Sequence, residues 1–220
     1  MTRAGDGLIE TMRVRGGRLP LLERHLARLR GSLAALSRPA PPGDLAALAR
    51  AAAGSGADRV VRLEVRDGQA AVTTRDVPSV TPLAVVVATE AHVAYPHKTT
   101  ERGVFDRALA EARALGADDA LLVTAAGYVA EGTTWSLFWW EGGRLCTPAL
   151  DLEILPGVGR ARVMELAEVA EVRVTMAAFA WRSLFLVNAV RGIVPIGSFR
   201  GRDVPLDART AELSHRFWPD

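Results

Sequence analysis

The distribution of apolar and polar residues divides the chain into helical and strand-like segments. Leu22, Leu26, Leu29 and Leu33 recur three or four residues apart, so they share one face of a predicted helix. Asp44 stands directly before an alanine-rich run and is a residue type that commonly caps a helix start. The other predicted helices are 45–53, 104–115, 161–170 and a C-terminal helix that begins after residue 207.

Short runs rich in branched and aromatic residues predict many strands. Asp67 and Gly68 form a hairpin turn signal that joins two of these strands. A hairpin-like segment is also expected at 192–198. The predicted strands are 8–14, 59–65, 69–74, 83–89, 118–124, 137–140, 144–147, 172–176 and 185–189.

This order of elements predicts an α+β fold with two domains. Helices and an antiparallel sheet fill the first part, which we assign to residues 1–88 as a small α/β N-terminal domain. Residues 90–100 are the expected crossover. Many short strands with few helices follow, which favours a larger, barrel-like C-terminal domain over residues 89–220.

Composition narrows the class of protein. The 220 residues carry a net charge of only +2, and the basic residues are interleaved with acidic ones, which disfavours a nucleic-acid-binding protein. The single cysteine, Cys146, excludes an internal disulfide and fits a reducing compartment. Residues 1–7 contain no apolar signal core, and no run approaches the roughly 18 apolar residues of a membrane span. A cytoplasmic protein without membrane or nucleic-acid partners is therefore expected.

One lysine stands out among the basic residues. Of the 27 lysines and arginines, only Lys98 is a lysine. Arginine replaces lysine as a surface charge, but its guanidinium stays protonated, whereas a lysine amine can lose its proton and act as a nucleophile. Lys98 is therefore a candidate for forming a Schiff base with a carbonyl group. The alternative is a surface lysine left over in an arginine-rich protein.

Three further features fit a cofactor that carries a phosphate. Gly157-Val158-Gly159 stands before a predicted helix, where free backbone N–H groups favour an anion, although such glycine loops are common. Glu131 lies in a predicted loop between two apolar strands and could keep a pyridine nitrogen protonated; a solvated turn glutamate is the alternative. Asn188 interrupts a buried strand, and its amide needs partners, which backbone groups of the core could also supply.

His25 and Arg28 lie three residues apart and share one side of the first predicted helix. Periodicity alone favours a solvated basic helix face for this pair.

Together these residues resemble the class IV, or fold-type IV, pyridoxal-phosphate enzymes. That family contains branched-chain aminotransferases, D-amino-acid aminotransferases and aminodeoxychorismate lyases. The resemblance covers nearly the whole chain, and the order and spacing of its segments carry it. These segments are Gly-Asp-Gly-Leu-Ile-Glu-Thr-Met-Arg at 5–13, His-Leu-Ala-Arg-Leu at 25–29, His-Lys-Thr-Thr at 97–100, Glu-Gly-Thr-Thr-Trp-Ser-Leu-Phe at 131–138, Leu-Pro-Gly-Val-Gly-Arg at 155–160 and Asn-Ala-Val-Arg-Gly at 188–192.

The resemblance implies a role for each matching residue. Lys98 is the expected Schiff-base lysine and general base, and Glu131 the expected partner of the pyridine nitrogen of pyridoxal 5'-phosphate. No metal site is expected. The fold implied is a small α/β N-terminal domain and a larger pseudo-barrel C-terminal domain, with the cofactor between them and a homodimer as the assembly. The implied phosphate-side residues are Arg28, Val158, Gly159, Asn188 and Ala189.

Four positions depart from the family pattern. The chain begins close to Gly-Asp-Gly, without the opening strands of most members. Trp135-Ser136 replaces the frequent Ser-Asn, Gly159 replaces a common threonine and thus a hydroxyl contact to phosphate, and Gly103 stands where branched-chain aminotransferases carry a tyrosine.

The segments at 8–13 and 97–100, with the short beginning, most resemble the lyase branch. A 4-amino-4-deoxychorismate lyase that releases 4-aminobenzoate and pyruvate for folate synthesis is the expected function. The alternatives are a class IV aminotransferase of a D- or branched-chain amino acid or an amine, and a degenerate, non-catalytic family member.

Overall fold

A computed structural model describes residues 6–181 and 183–219. Gly5, the first residue of the segment at 5–13, and the rest of the beginning at 1–5 lie outside the described residues.

A small antiparallel sheet and two helices form the first layer. Strands β1 (Leu8–Arg13), β2 (Val60–Arg66) and β3 (Gln69–Arg75) pair in that order. Helices α1 (Leu22–Ala35) and α2 (Leu45–Ala53) pack on one face, because the sheet and both helices present apolar residues to each other. The centre of this core contains Leu8, Met12, Leu26, Leu29, Val61 and Leu63.

Local signals in this layer are confirmed. Helix α2 has the predicted bounds, and the Asp44 side chain accepts hydrogen bonds from the N–H groups of Ala46 and Ala47. The turn Asp67-Gly68 joins β2 to β3, and both residues have positive φ, which glycine adopts readily.

A mixed sheet of nine strands dominates the rest of the described chain. Its strands are β4 (Leu83–Val87), β5 (Asp119–Val123), β6 (Val129–Gly132), β7 (Ser136–Glu141), β8 (Arg144–Pro148), β9 (Val169–Val172), β10 (Ser183–Asn188), β11 (Gly192–Phe199) and β12 (Arg202–Asp203). Their order is β6-β5-β4-β11-β10-β7-β8-β9, with β12 paired to β11. Val129 and Met176 donate backbone hydrogen bonds to Val174 and Gly127, so β6 at one edge meets the segment after β9 at the other edge. The sheet therefore curls into a half-barrel.

Three helices and one short 3-10 turn accompany this sheet. The last helix begins after residue 207, as predicted, and Asp207 caps it by accepting a hydrogen bond from the Arg209 N–H. The helices are α3 (Gly103–Ala114), α4 (Val158–Leu166) and α5 (Ala208–Arg216), and the turn is Leu150–Leu152. The α+β class, with a small antiparallel sheet and a curled larger sheet, is confirmed.

Helix α4 and strand β9 correct two predicted elements. The helix begins at Val158 rather than 161 and ends at Leu166 rather than 170. Residues Val169–Val172 instead form β9, which pairs in parallel with β8, so the predicted strand 172–176 is displaced. Pairing with a buried strand outweighs the helical preference of residues 167–170, because that preference is weak.

The predicted hairpin at 192–198 is also wrong. Residues Gly192–Phe199 form one strand, β11, which is antiparallel to β10 and parallel to β4. Pro195 is the last residue of β11 that pairs with β10, and it comes before the residues of β11 that pair with β4. Its missing N–H therefore interrupts neither ladder. The tight turn lies between Asn188 and Gly192 instead.

Strand β4 lies before the expected boundary between residues 88 and 89, yet it hydrogen-bonds within the nine-stranded sheet, between β5 and β11. The domain boundary stays a prediction.

Candidate active site

The segment around Lys98 crosses from one sheet to the other along the edge of β1. The Ile9 N–H donates to the Lys98 carbonyl oxygen at 2.9 Å, and the Thr100 N–H donates to the Gly7 carbonyl oxygen at 2.8 Å. The Tyr95 hydroxyl donates to the Thr99 carbonyl oxygen at 2.8 Å and accepts from the Thr99 N–H at 3.0 Å. These bonds fix the backbone on both sides of Lys98, so its side chain leaves from a rigid position.

The Lys98 amine lies in a pocket between the two sheets. Within residues 6–181 and 183–219 it has no hydrogen-bond or salt-bridge partner. Burial lowers its pKa to about 7, and the nearby cations Arg28 and Arg102 act in the same direction, against the opposing effect of Glu10 and Glu131. A large fraction of the amine is therefore neutral, and nucleophilic, at neutral pH.

Glu131 lies across the same pocket and is only 4% exposed. It belongs to strand β6, so its prediction as a loop residue is wrong: pairing of β6 with β5 extends the strand through Gly132. Its Oε1 accepts a hydrogen bond from the Leu155 N–H at 3.2 Å and is 2.9 Å from His92 Nε2, which donates to it in the corresponding tautomer. Oε2 has no hydrogen-bond partner among the described residues, which leaves one carboxylate oxygen for a ligand.

A second buried carboxylate, Asp119, holds the hydroxyl-rich turn that follows β6. It accepts from the Thr133 N–H at 2.8 Å, from Thr133 Oγ1 at 2.9 Å and from the Trp135 indole N–H at 3.0 Å. Burial raises the pKa of Asp119, against these hydrogen bonds. The Arg191 guanidinium stacks over the Trp135 ring, 4.7 Å from its centroid. Trp135, one of the departures from the family pattern, is thus a fixed part of the pocket wall.

Arg28 enters the pocket from α1 as part of a buried ionic network. Its Nε and Nη2 donate to Oε1 and Oε2 of Glu10 at 2.9 and 2.5 Å, and Nη1 donates to the Pro156 carbonyl oxygen at 3.3 Å. His25 Nδ1 is 2.5 Å from Glu10 Oε2, so the predicted solvated helix face is wrong: His25 is buried. Burial acts to raise the pKa of Glu10, but Arg28 and His25 outweigh it and lower the value to about 2.

The imidazole of His25 leaves one atom without a partner. Burial lowers the pKa of His25, against the attraction of Glu10, and its buried Nε2 makes no hydrogen bond among the described residues. Because Nδ1 donates to Glu10 and the ring is neutral, Nε2 is an acceptor, and since a buried polar atom without a partner is costly it indicates a hydrogen-bond donor of a ligand on this side of the pocket.

The first turn of α4 faces the turn after β10. The N–H groups of Val158 and Gly159 belong to the first turn of α4 and have no acceptor within the helix. A Cβ atom at Gly159 would lie 2.9 Å from the Asn188 carbonyl carbon, so only glycine fits between the two backbones. This contact explains the departure from the family threonine.

Asn188 ends β10 and shapes the adjoining turn. Its Oδ1 accepts from the N–H groups of Val190 and Arg191 at 3.0 and 2.8 Å, and its Nδ2 donates to the Thr134 carbonyl oxygen at 3.5 Å. These backbone groups satisfy the amide, which is the alternative that the sequence alone left open for Asn188.

One pocket brings together every site residue that the sequence predicted. Its wall contains Arg28, Lys98, Glu131, Val158, Gly159, Asn188 and Ala189. Sequence reasoning missed Glu10, His92, Asp119 and Arg191 as parts of the site or its support. Glu10 carried a signal, because it alternates with Leu8 and Met12 on the buried face of β1; His92 carried none.

The pocket fits pyridoxal 5'-phosphate. The helix start and Arg28 lie at one end and suit a phosphate, while Lys98 and the free oxygen of Glu131 suit a carbonyl group and a pyridinium nitrogen. Among the described residues, no cluster of three or more potential metal ligands occurs, and no helix is long and apolar enough to cross a membrane.

Comparisons with known proteins also indicate an aminotransferase family. A family model described as amino-transferase class IV matches residues 7–199. A protein of Thermotoga maritima, provisionally named a branched-chain-amino-acid aminotransferase, is 32% identical over 100 residues, which are 43% of this chain and 37% of that protein. The aligned part is thus little more than a third of that curated relative.

Two solved structures share the fold over most of their length. One, provisionally named a 4-amino-4-deoxychorismate lyase, has a TM-score of 0.83 at 27% identity and is matched over 98% of this chain and 91% of that chain. The other is described as a hypothetical aminotransferase from Mycobacterium tuberculosis, in its PLP-bound form, with a TM-score of 0.83 at 25% identity over 97% of this chain and 89% of that chain.

Proposed function

This chain belongs to the class IV aminotransferase family, and from that premise we propose that it is an enzyme that cleaves 4-amino-4-deoxychorismate to 4-aminobenzoate and pyruvate. Pyridoxal 5'-phosphate is the cofactor of the family. One observation carries the enzymatic part of the proposal: the amine of Lys98, with its pKa lowered to about 7, lies in the same pocket as the buried carboxylate of Glu131.

The site residues would then have the following tasks. Arg28, the first N–H groups of α4 and the turn at Asn188 and Ala189 would hold the phosphate. Glu131, oriented by His92 and the Leu155 N–H, would keep the pyridine nitrogen protonated. When bound, the cofactor supplies an electron sink for charge that develops at the carbon next to the substrate nitrogen.

Lys98 moves the proton. Its neutral amine is the group that would hold the cofactor through the cofactor's carbonyl, and it would be free as a base once the substrate is bound. The freed amine then removes the proton from the carbon that bears the substrate nitrogen. In the lyase reaction, the same amine returns a proton to the departing enolpyruvyl group, which leaves as pyruvate. Arg28 and Arg102 support this role because they help to keep the amine neutral.

Amino-group transfer to a keto acid is the second candidate. The Thermotoga relative at 32% identity favours it. Gly103, where branched-chain aminotransferases carry a tyrosine, and the likeness to the lyase structure favour cleavage. We also propose that the protein is cytoplasmic and works as a homodimer. Light scattering of the purified protein measures its molar mass and thus tests the dimer directly.

The absorption spectrum of purified protein tests the proposal, before and after borohydride and beside Lys98→Ala. We expect a band near the visible edge that borohydride traps in the wild type and that the variant lacks. Because Lys98 is the only lysine, peptide mapping after reduction must find the label at residue 98. Pyruvate release from 4-amino-4-deoxychorismate, against amino transfer to a keto acid, then decides between the two reactions. A wild type that stays colourless after added pyridoxal phosphate contradicts the proposal and favours a non-catalytic member.

A further inference from the structure

The pocket wall is strongly cationic. Among the described residues that line the pocket, six are lysine or arginine, and Glu131 is the one aspartate or glutamate. The six cations are Arg28, Arg62, Arg75, Lys98, Arg102 and Arg191. A phosphate at the α4 end balances only part of this charge.

Two of the arginines have partners inside the protein. Arg28 is paired with Glu10, and Arg102 donates to the Thr133 carbonyl oxygen at 2.6 Å and lies 3.6 Å from Asp106. Their guanidinium groups therefore support the wall and the Lys98 amine rather than a second anion.

Arg62 and Arg75 project from the same face of the small sheet. In the register of β2 and β3, Arg75 is opposite Val60, and Arg62 is two residues beyond Val60, so both arginines lie on one face as diagonal neighbours. Thr11, opposite Arg62 on β1, belongs to the same face and also lines the pocket. Arg62 pairs with Glu64 at 3.1 Å, and Glu64 is shared with Arg66; within the described ranges, Arg75 forms no salt bridge.

Arg191 reaches the same place from the turn after β10. Its guanidinium lies over the ring of Trp135, which Asp119 fixes in turn, and it forms no salt bridge within the described part of the chain. Burial lowers the pKa of Arg191; the carboxylates of Asp119 and Asp118 oppose this change and the neighbouring Arg75 adds to it. Arg75 and Arg191 thus line the same pocket as neighbouring cations, and neither forms a salt bridge among the described residues.

We propose that Arg75 and Arg191, with Arg62 beside them, form a carboxylate-binding clamp on the substrate side of the pocket, and that the substrate is an amine with two carboxylates. This inference rests on the proposed function for the position of the amine at Lys98. A guanidinium fork matches a carboxylate in a bidentate manner. One carboxylate satisfies a single fork, so this group of arginines suits a dicarboxylate. 4-Amino-4-deoxychorismate carries two carboxylates, whereas a branched-chain amino acid carries one.

Calorimetric titration of the purified protein with isophthalate and benzoate, at low salt, tests the clamp without turnover. The two probes share a ring and differ by one carboxylate. We expect isophthalate to bind at least roughly tenfold more tightly than benzoate, since each charge-assisted pair is worth about that factor. Arg75→Gln and Arg191→Gln should each bring the two affinities to within about threefold, and Arg191→Lys should fall between.

Arg113→Gln is the matched control, because Arg113 is an exposed arginine of α3 that does not line the pocket. Equal affinity of the wild type for both probes, or a preference that survives in either glutamine variant, overturns the clamp. If Arg191→Gln does not fold, Arg75→Gln decides the test, because Arg75 is exposed. The cofactor absorption band of the same sample separates the two proposals. A sample that shows the band but no preference for isophthalate overturns the clamp alone. A sample that prefers isophthalate but shows no band supports the clamp and overturns the enzymatic function.

Discussion

The two ends of the pocket use arginine in opposite ways. At the proposed phosphate end, Arg28 is bound to the buried Glu10, which also contacts His25. At the proposed substrate end, Arg75 and Arg191 form no salt bridge among the described residues, and Arg191 lies over an aromatic ring. The first arrangement holds its charge in place before any ligand arrives, while the second leaves its charge for the ligand to neutralise. Variants at the first end should therefore change folding and cofactor binding, and variants at the second should change ligand choice.

Lys98 lies between the two ends and should give the largest effect. Its pKa, lowered from 10.5 to about 7, makes its neutral amine roughly a thousandfold more abundant at pH 7 than in an unperturbed lysine. The rate at which cofactor-free protein takes up pyridoxal phosphate should rise with pH to a midpoint near 7. Stopped-flow absorbance at several pH values measures this midpoint.

Arg102→Gln sharpens this test, because the variant loses a cation that lowers the Lys98 pKa. Its midpoint should lie higher than that of the wild type. A midpoint near the ordinary lysine value in the wild type would contradict the buried position of the amine.

Glu10→Gln should break the phosphate end. It leaves Arg28 and the buried His25 without their carboxylate, and breaking a buried ion pair costs about 3 kcal/mol or more in the free energy of unfolding. Urea denaturation at pH 7 measures this loss. Glu64→Gln is the control at the substrate end: its side chain is 28% exposed, so a loss below about 1 kcal/mol is expected.

The pH dependence of the unfolding free energy is a second test of the ionic network around Glu10. The pKa of Glu10 is lowered from 4.5 to about 2 in the folded protein, so its contribution is complete above about pH 5 and disappears as the pH falls toward 2. The stabilities of wild type and Glu10→Gln should therefore converge in acid. A difference that stays constant down to pH 2 would be inconsistent with the buried network.

Gly159→Thr should have an intermediate effect. The added Cβ meets the Asn188 backbone at 2.9–3.2 Å, and neither backbone can move freely, so a loss of about 1–3 kcal/mol in unfolding free energy is expected. Cofactor affinity should fall as well, despite the added hydroxyl. Gly143→Ala, at a position with open space around it, should leave both quantities unchanged; a threonine variant that binds phosphate more tightly would refute this account.

Arg75→Gln should have the smallest effect on stability, within about 0.5 kcal/mol, because Arg75 is exposed and forms no salt bridge within the described residues. Thermal unfolding measures this difference. The same variant should lose the preference for a dicarboxylate, so the combination distinguishes a ligand-binding arginine from a structural one. A large loss of stability would place Arg75 with Arg28 as a structural residue.

The sequence by itself determined the local elements and the chemistry of the central residue. Apolar spacing gave α1, the Asp44 cap gave α2, and Asp67-Gly68 gave the first hairpin, because each depends on residues a few positions apart. Lys98 was evident from its uniqueness among the basic residues, since no other side chain offers the same amine.

Only the tertiary structure decided the ionic partners and the bounds of several elements. Glu10 meets Arg28, and Arg191 approaches Arg75, across long sequence separations. The strand that contains Glu131 and the strand β9 exist because distant strands pair with them. The physical reason is the same in each case: local preferences are worth tenths of a kilocalorie per residue, whereas strand pairing and the solvation of buried charges are worth more and depend on which segments meet.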